Sequence, residues 1–417
     1  MAIRRLGACA VLLAWVLALG WASPLIVYAD EAEQVECVRG VTHYVDAEPQ
    51  VNELLGIARA HTLVDGTGVI VAIVDSGVDA TNAHLAGHVL EGRDFVSDGN
   101  GQEDNDGHGT AIAGQIVAQP IAQSRLSGVA PGAHILPVRV YNTVQTEGGR
   151  PAPDGPSIAR TAAGIRWAAE NGAHVIVVAQ SVAEDDGSLN AAVKYADSRG
   201  ALVVASAGNR QTLEKGEPTE GARYPAAYPT VLSVTAVDNA GLPTDAAVHG
   251  AHVEIAAPGQ NVLTTWFADG NCILSPQFPS TSFSTGYVGG IAALVAQAHP
   301  HESPQMWKWR LESTALRAAP SQQSPLVGWG IVAPYDAIAT EVTPRMPGPP
   351  LPGAEQPAEA ATVGRIPPEV SEDPLAIRRN YAAIVTPAAL FIIGVVWTIS
   401  HGRGRLGEKR AGLARKA

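Results

Sequence analysis

Cysteine is scarce in this 417-residue chain. Only Cys9, Cys37 and Cys272 occur, which excludes a fold stapled by many disulfides. Charged residues are also few, 16 % against 46 % hydrophobic. That balance excludes global disorder and allows a packed core. Positive charge is the scarcer sign: 28 Lys and Arg stand against 40 Asp and Glu, a net −12. An acidic surface repels a phosphate backbone, so nucleic acid is not expected as a partner. No internal repeat is present, and the length fits one large domain or two ordinary ones.

Two apolar runs bracket the chain. Residues 1–29 read as a secretory signal, with Arg4 and Arg5 ahead of the run from Leu6 to Leu19 and a cleavage site at Val27-Tyr28-Ala29. A retained membrane anchor is the competing reading. Residues 379–401 read as a transmembrane helix, because Tyr381 to Ser400 carries no charge over 20 residues. Pro387 is tolerable inside such a helix. In the tail, residues 402–417, Arg403, Arg405, Lys409, Arg410, Arg415 and Lys416 face a single Glu408, which by the positive-inside rule puts it in the cytoplasm. The chain between signal and anchor is then extracytoplasmic. With +5 in the tail and +2 in the signal, that intervening chain carries −19. It divides into an N-terminal extension (30–65), a globular domain (66–342) and a Pro-rich linker (343–378), extended and semi-rigid, which reads as a stalk. Cys9 is lost with the signal, leaving Cys37 and Cys272 as an even pair in an oxidising compartment. A disulfide between them is expected, two free thiols being the alternative. It pins the extension onto the domain.

Within residues 66–340, apolar runs alternate with amphipathic ones. Val69 to Val74, His134 to Val140, His174 to Ala179, Ala201 to Ser206, Val231 to Ala236 and His252 to Ala257 read as strands, rich in Val and Ile and apolar on both faces. Such strands suit a parallel sheet covered on both sides. Helices are expected after Ser157, ending near Gly172, and after Ser188, ending near Gly200, each serine as the cap. The fold class is therefore α/β: a doubly wound, mostly parallel sheet with helices on both faces, plus the single C-terminal transmembrane helix. In such a sheet, functional residues gather at the C-terminal ends of the strands.

Four local patterns carry chemistry. Asp75 leaves a buried strand in Val-Asp-Ser-Gly-Val-Asp (74–79). His108 sits between glycines in Asp-Gly-His-Gly-Thr (106–110). Ser282 opens a helix in Ser-Thr-Ser-Phe-Ser (280–284), and Asn209 ends Ser-Ala-Gly-Asn (206–209) after a strand. A serine hydroxyl needs a base to take its proton as it attacks. Histidine is that base near neutrality, and a carboxylate fixes its tautomer and steadies the imidazolium. A helix N-terminus offers N–H groups to an oxyanion, and an asparagine amide donates another hydrogen bond. Each residue alone reads more simply as a turn or a cap. All four in this order read as catalytic Asp75, His108 and Ser282 with Asn209 as oxyanion donor.

These motifs resemble those of the subtilisin-like serine proteases, in the same Asp–His–Ser order. GVAPGA (128–133), AAPG (256–259) and GWGIVAPYDAI (328–338) extend the resemblance over residues 50–340. It implies a subtilisin-like fold, a serine endopeptidase and protein or peptide substrates. The overall layout is similar to that of the mycosins, the membrane-anchored subtilases of type VII secretion systems. That implies processing of exported proteins and possible partnership with the secretion membrane components. A structural role with proteolysis secondary is the alternative.

Two residues depart from the family pattern: Ser280 replaces glycine, and Gly286 replaces a proline that pre-sets the helix start. Asp104-Asn105-Asp106 stands where mycosins usually carry a cysteine. No cofactor is expected. Calcium often binds subtilases, but the acidic segment Glu103 to Asp106 reads as a solvated turn, so no metal is assigned. The extension is too short to fold as a separate prodomain and is expected to wrap the mature domain.

Overall fold

The computed structural model describes residues 37–144, 152–213, 216–343 and 346–353. The signal (1–29), the transmembrane helix (379–401), the basic tail (402–417) and most of the linker lie outside the described residues. Among the described residues no helix is long and apolar enough to cross a membrane.

Seven parallel strands form one sheet. They are β1 (Ile70–Asp75), β2 (Arg93–Asp94), β3 (His134–Arg139), β4 (Val175–Val178), β5 (Leu202–Ser206), β6 (Val231–Val237) and β7 (Ile255–Pro258), in spatial order β2-β3-β1-β4-β5-β6-β7. The continuous apolar runs have a direct cause. Alternate residues of a strand point to opposite faces, and both faces are covered. Val71, Ile73, Val175, Val177, Val204 and Val234 enter one core; Ala72, Val74, Ile176, Val178 and Val203 enter the other.

The first face carries two helices, α3 (His108–Val117) and α6 (Thr281–Ala298). The second carries α4 (Ile158–Glu170) and α5 (Gly187–Ser198), whose apolar stripes bury Ile165, Ala168, Leu189 and Val193. Two short helices, α1 (Gln50–Leu54) and α2 (Ile57–Ala60), lie in the N-terminal extension. A hairpin of β8 (Val262–Thr265) and β9 (Asn271–Leu274) precedes α6, which is followed by α7 (Pro304–Ser313) and α8 (Pro334–Ala339).

Three expectations shift. Ser157 is the N-cap of α4, but its side chain makes no capping bond. The second helix starts earlier than Ser188, because the Asp186 carboxylate accepts from the Ser188 and Leu189 N–H groups and caps it instead. The last strand begins at Ile255, not His252, because a turn closes Val253 N–H onto the Gly250 carbonyl. At the start of the linker, the Pro347 and Pro349 carbonyls accept from Arg317 and Trp309, so these residues lie against the domain.

The extension wraps the domain. Cys37 is disulfide-bonded to Cys272 in β9. His43 exchanges two backbone hydrogen bonds with the Asp269–Asn271 turn. The Arg39 guanidinium lies 4.5 Å over the Phe267 ring and donates to the Asn105 carbonyl. Val51, Ile57 and Ala60 join the first core.

Candidate active site

Asp75 ends β1 with a fully buried side chain. Its Oδ1 accepts from its neighbour's N–H, Ser76, at 2.8 Å, lies 2.8 Å from His108 Nδ1, and accepts from the Tyr141 hydroxyl at 2.7 Å. Its Oδ2 is buried and has no hydrogen-bond partner among the described residues. Burial pushes the carboxyl upward, but His108, Tyr141 and the Ser76 N–H together hold it below its ordinary value. It is therefore ionised, and an ionised carboxylate makes His108 Nδ1 the donor. Nε2 is then left as the acceptor of the neutral ring.

His108 is the first residue of α3. Gly107 before it has φ 87°, and a Cβ there would meet the Phe267 ring at 2.7 Å. A Cβ on Gly109 would lie 2.1 Å from the Gly77 carbonyl. Gly109 thus lets the helix start approach the end of β1 closely, and Gly107 lets it pass under the Phe267 ring. Gly107 has no side chain to cap α3. The buried Asp104 does so in its place, accepting from Gly107 N–H, Thr110 N–H and the Thr110 hydroxyl at 2.6–2.9 Å. The Glu103–Asp106 segment is thus not a solvated turn throughout: Asp104 faces inward and orients His108. Among the described residues no cluster of three His, Cys, Asp or Glu could hold a metal ion. The His108 ring stays 22 % exposed. Burial lowers its pKa, but the Asp75 charge and hydrogen bond outweigh this and raise it to about 9.

Ser282 is the second residue of α6 and 7 % exposed. The ring of Phe283, next in the chain, packs 5.7 Å from the His108 ring. Gln115 of α3 donates to the Phe283 carbonyl at 2.8 Å, so the histidine helix and the serine helix are tied directly. Gly286 accounts for the closeness: a Cβ there would stand 2.3 Å from Gln115 Oε1. The glycine in place of proline thus makes room for the Gln115 side chain between the two helices.

Asn209 follows β5 through Gly208, whose φ is 103°. Its Oδ1 accepts from the Thr281 N–H at 2.9 Å and the Thr281 hydroxyl at 3.0 Å. Both contacts occupy the oxygen, which leaves the Nδ2 hydrogens as donors. Beyond β4, Gln180, Ser181 and Val182 line a small cavity of about 60 Å³ with Leu189, Tyr224 and Pro225. A Cβ on Gly208 would lie 3.1 Å from Ser181 Oγ, so the cavity adjoins the asparagine loop.

The fold brings Asp75 and His108 into contact and sets Ser282 and Asn209 along one helix start. Cys37, on the wrap, and Cys272, in β9, sit apart. Tyr141 was not foreseen. β3 neighbours β1 with Arg139 opposite Asp75, and Val140 N–H donates to the Asp75 carbonyl at 2.8 Å. Two residues past the pairing, the phenol reaches the carboxylate. The strand-end rule applied to β3 would have pointed to it.

Residues 66–330 match the subtilase family. The chain is 32 % identical over 399 residues to mycosin-1 of Mycobacterium tuberculosis, covering 87 % of this chain and 85 % of that protein. The crystal structure of MycP1 from the ESX-1 type VII secretion system superposes with TM-score 0.64 at 30 % identity, covering 75 % of this chain and 92 % of that one. A chain in the structure of an intact ESX-5 inner membrane complex superposes with TM-score 0.62 at 27 % identity, covering 88 % and 93 %.

Proposed function

The chain belongs to the subtilase family of serine proteases, and from that premise we propose that it is the membrane-anchored, extracytoplasmic endopeptidase of a type VII secretion system, cleaving exported proteins through Asp75, His108 and Ser282. The observation that carries the catalytic assignment is the buried Asp75 carboxylate 2.8 Å from His108 Nδ1. Ser282 Oγ attacks the scissile carbonyl while His108 Nε2 takes its proton. Asp75 steadies the imidazolium. The Ser282 N–H and Asn209 Nδ2 receive the oxyanion. His108 then protonates the leaving amine, and a water molecule, deprotonated by the same nitrogen, releases the acyl group. The cavity beyond β4 receives a substrate side chain, with Gln180 and Ser181 on its wall. The signal and the apolar segment 379–401 support the topology: catalytic domain outside, C-terminus in the cytoplasm.

A second reading is a structural component of the secretion complex. The likeness to a chain of an inner membrane complex over 88 % of this sequence favours it. Secretion is compared in a Ser282→Ala strain and a full deletion. Cleavage products of exported proteins vanish in both if the protease reading holds. A strain with Ser282→Ala that still yields every cleavage product rules it out. Loss of secretion only in the deletion adds the structural role.

A further inference from the structure

Ser280 stands where the family pattern has glycine, and its hydroxyl lies 2.8 Å from Ser282 Oγ. A serine at a helix N-cap ordinarily directs its hydroxyl to the N–H of the second or third helical residue. Ser280 is the N-cap of α6, with extended backbone at φ −111° and ψ 128°, yet its side chain caps neither. The N–H groups in reach of a capping hydroxyl are those of Ser282 and Phe283, and the first is the oxyanion donor. The Ser280 hydroxyl instead faces the nucleophile itself.

The backbone that carries this hydroxyl is held in place. The Ser280 N–H donates to the Gly259 carbonyl at 2.9 Å, and the Ser280 carbonyl accepts from the Ser284 N–H at 3.1 Å. A Cβ on Gly259 would lie 2.4 Å from the Ser280 carbonyl, so the two backbones are in direct contact. A separation of 2.8 Å is an ordinary O–H···O hydrogen bond. Among the described residues none joins Ser282 to His108, whose side chain pairs with Asp75 and lies 3.5 Å from the Tyr141 hydroxyl.

We propose that Ser280 holds the Ser282 hydroxyl in a resting position, so that the nucleophile exchanges this hydrogen bond for one to His108 Nε2 before it attacks. The inference rests on Ser282 being the nucleophile. Ser280 is a positioning residue that acts through Ser282. The attacking arrangement is one fraction of the population, and the acylation rate scales with that fraction. Glycine or alanine at 280 offers no hydroxyl and leaves Ser282 free to engage His108. The retained resting bond restrains acylation of any substrate that binds, without altering how substrate binds.

The test uses full-length protein in detergent with a fluorophosphonate probe. In that reaction Ser282 Oγ bonds to phosphorus, fluoride leaves with the P–F electron pair, and the serine proton passes to His108. Second-order inactivation rates are measured for wild type, Ser280→Gly, Ser280→Ala and Ser280→Thr, with kcat and KM on a peptide ester. Gly and Ala are expected to react about twofold to tenfold faster, the range one neutral hydrogen bond spans. KM stays unchanged, and Thr, which keeps the hydroxyl, keeps the wild-type rate. The inference is overturned if folded Gly and Ala variants react no faster than wild type, or if Thr matches Ala. Wild-type protein that takes up no probe at Ser282 removes the nucleophile reading itself, a separate failure seen before any variant is compared.

Discussion

Replacing Tyr141 by Phe removes one hydroxyl and keeps the ring. Asp75 Oδ1 then has two donors, Ser76 N–H and His108 Nδ1, in place of three. A carboxylate oxygen shared among fewer donors accepts more strongly from the one whose charge can change. The imidazolium gains, so the His108 pKa rises. A hydrogen bond to a charged group is worth about 1.5–3 kcal/mol, and one pKa unit is about 1.36 kcal/mol. Only the part of the bond that differs between neutral and protonated His108 appears in the profile, so a shift of about 0.3–1 unit is expected. Tyr141 itself stays a donor throughout, because burial and the nearby Asp75 charge push its own pKa well above the ordinary phenol value. The assay is kcat/KM against pH on a peptide ester. The base must be neutral to act, so activity climbs as His108 loses its proton. With His108 raised from 6.5 to about 9, the wild-type rise falls on the alkaline side of 6.5. In the Phe variant it moves to still higher pH. An unmoved limb, or one moved to lower pH, refutes the argument that Tyr141 shares Asp75 with His108.

Asn209→Ala is expected to lower kcat by about 10²–10³, the cost of one oxyanion donor, with KM little changed; a loss confined to KM contradicts the role. Replacing Cys37 and Cys272 together by Ser frees a loop with a sequence separation of 235. Denaturant unfolding should show a loss of about 2–5 kcal/mol, and unchanged stability means the bridge adds nothing. Glu312, on α7, is buried beside Glu254 and 4.0 Å from Lys308, and burial followed by the Glu254 charge pushes it from 4.5 to about 8. A raised carboxyl stabilises the fold while it is protonated, so its contribution is complete below 4.5 and lost as pH climbs through about 8. Glu312→Gln should therefore raise the melting temperature relative to wild type at pH ~9 and not at pH ~5; a pH-independent difference rejects this.

The strands, and the four candidate residues at strand ends and helix starts, could be picked out because each signal is local. β1 announces itself by six apolar residues before Asp75, and His108 by the glycines on either side of it. What escaped depends on distant parts of the chain. Tyr141 reaches Asp75 only because β3 pairs with β1 in one register, and no local pattern carries that register. Gln115 is the one polar residue of the apolar run Ala111 to Val117, and its reason is the serine helix packed across it. Ser280 was visible as a departure from the family pattern. Its partner was not, because an N-cap serine ordinarily turns toward the backbone. The cap of α5 was misread for a smaller reason: Asp186 and Ser188 are both good caps, and the Asp186 carboxylate accepts two N–H groups at once.

The most direct measurement of the central claim is fluorophosphonate labelling of the full-length protein in mildly alkaline buffer, with the modified residue located by mass spectrometry. A single adduct on Ser282 is expected, absent from Ser282→Ala and strongly slowed in His108→Ala and Asp75→Asn. Labelling that persists in Ser282→Ala, or a folded wild type that takes up no probe, contradicts it.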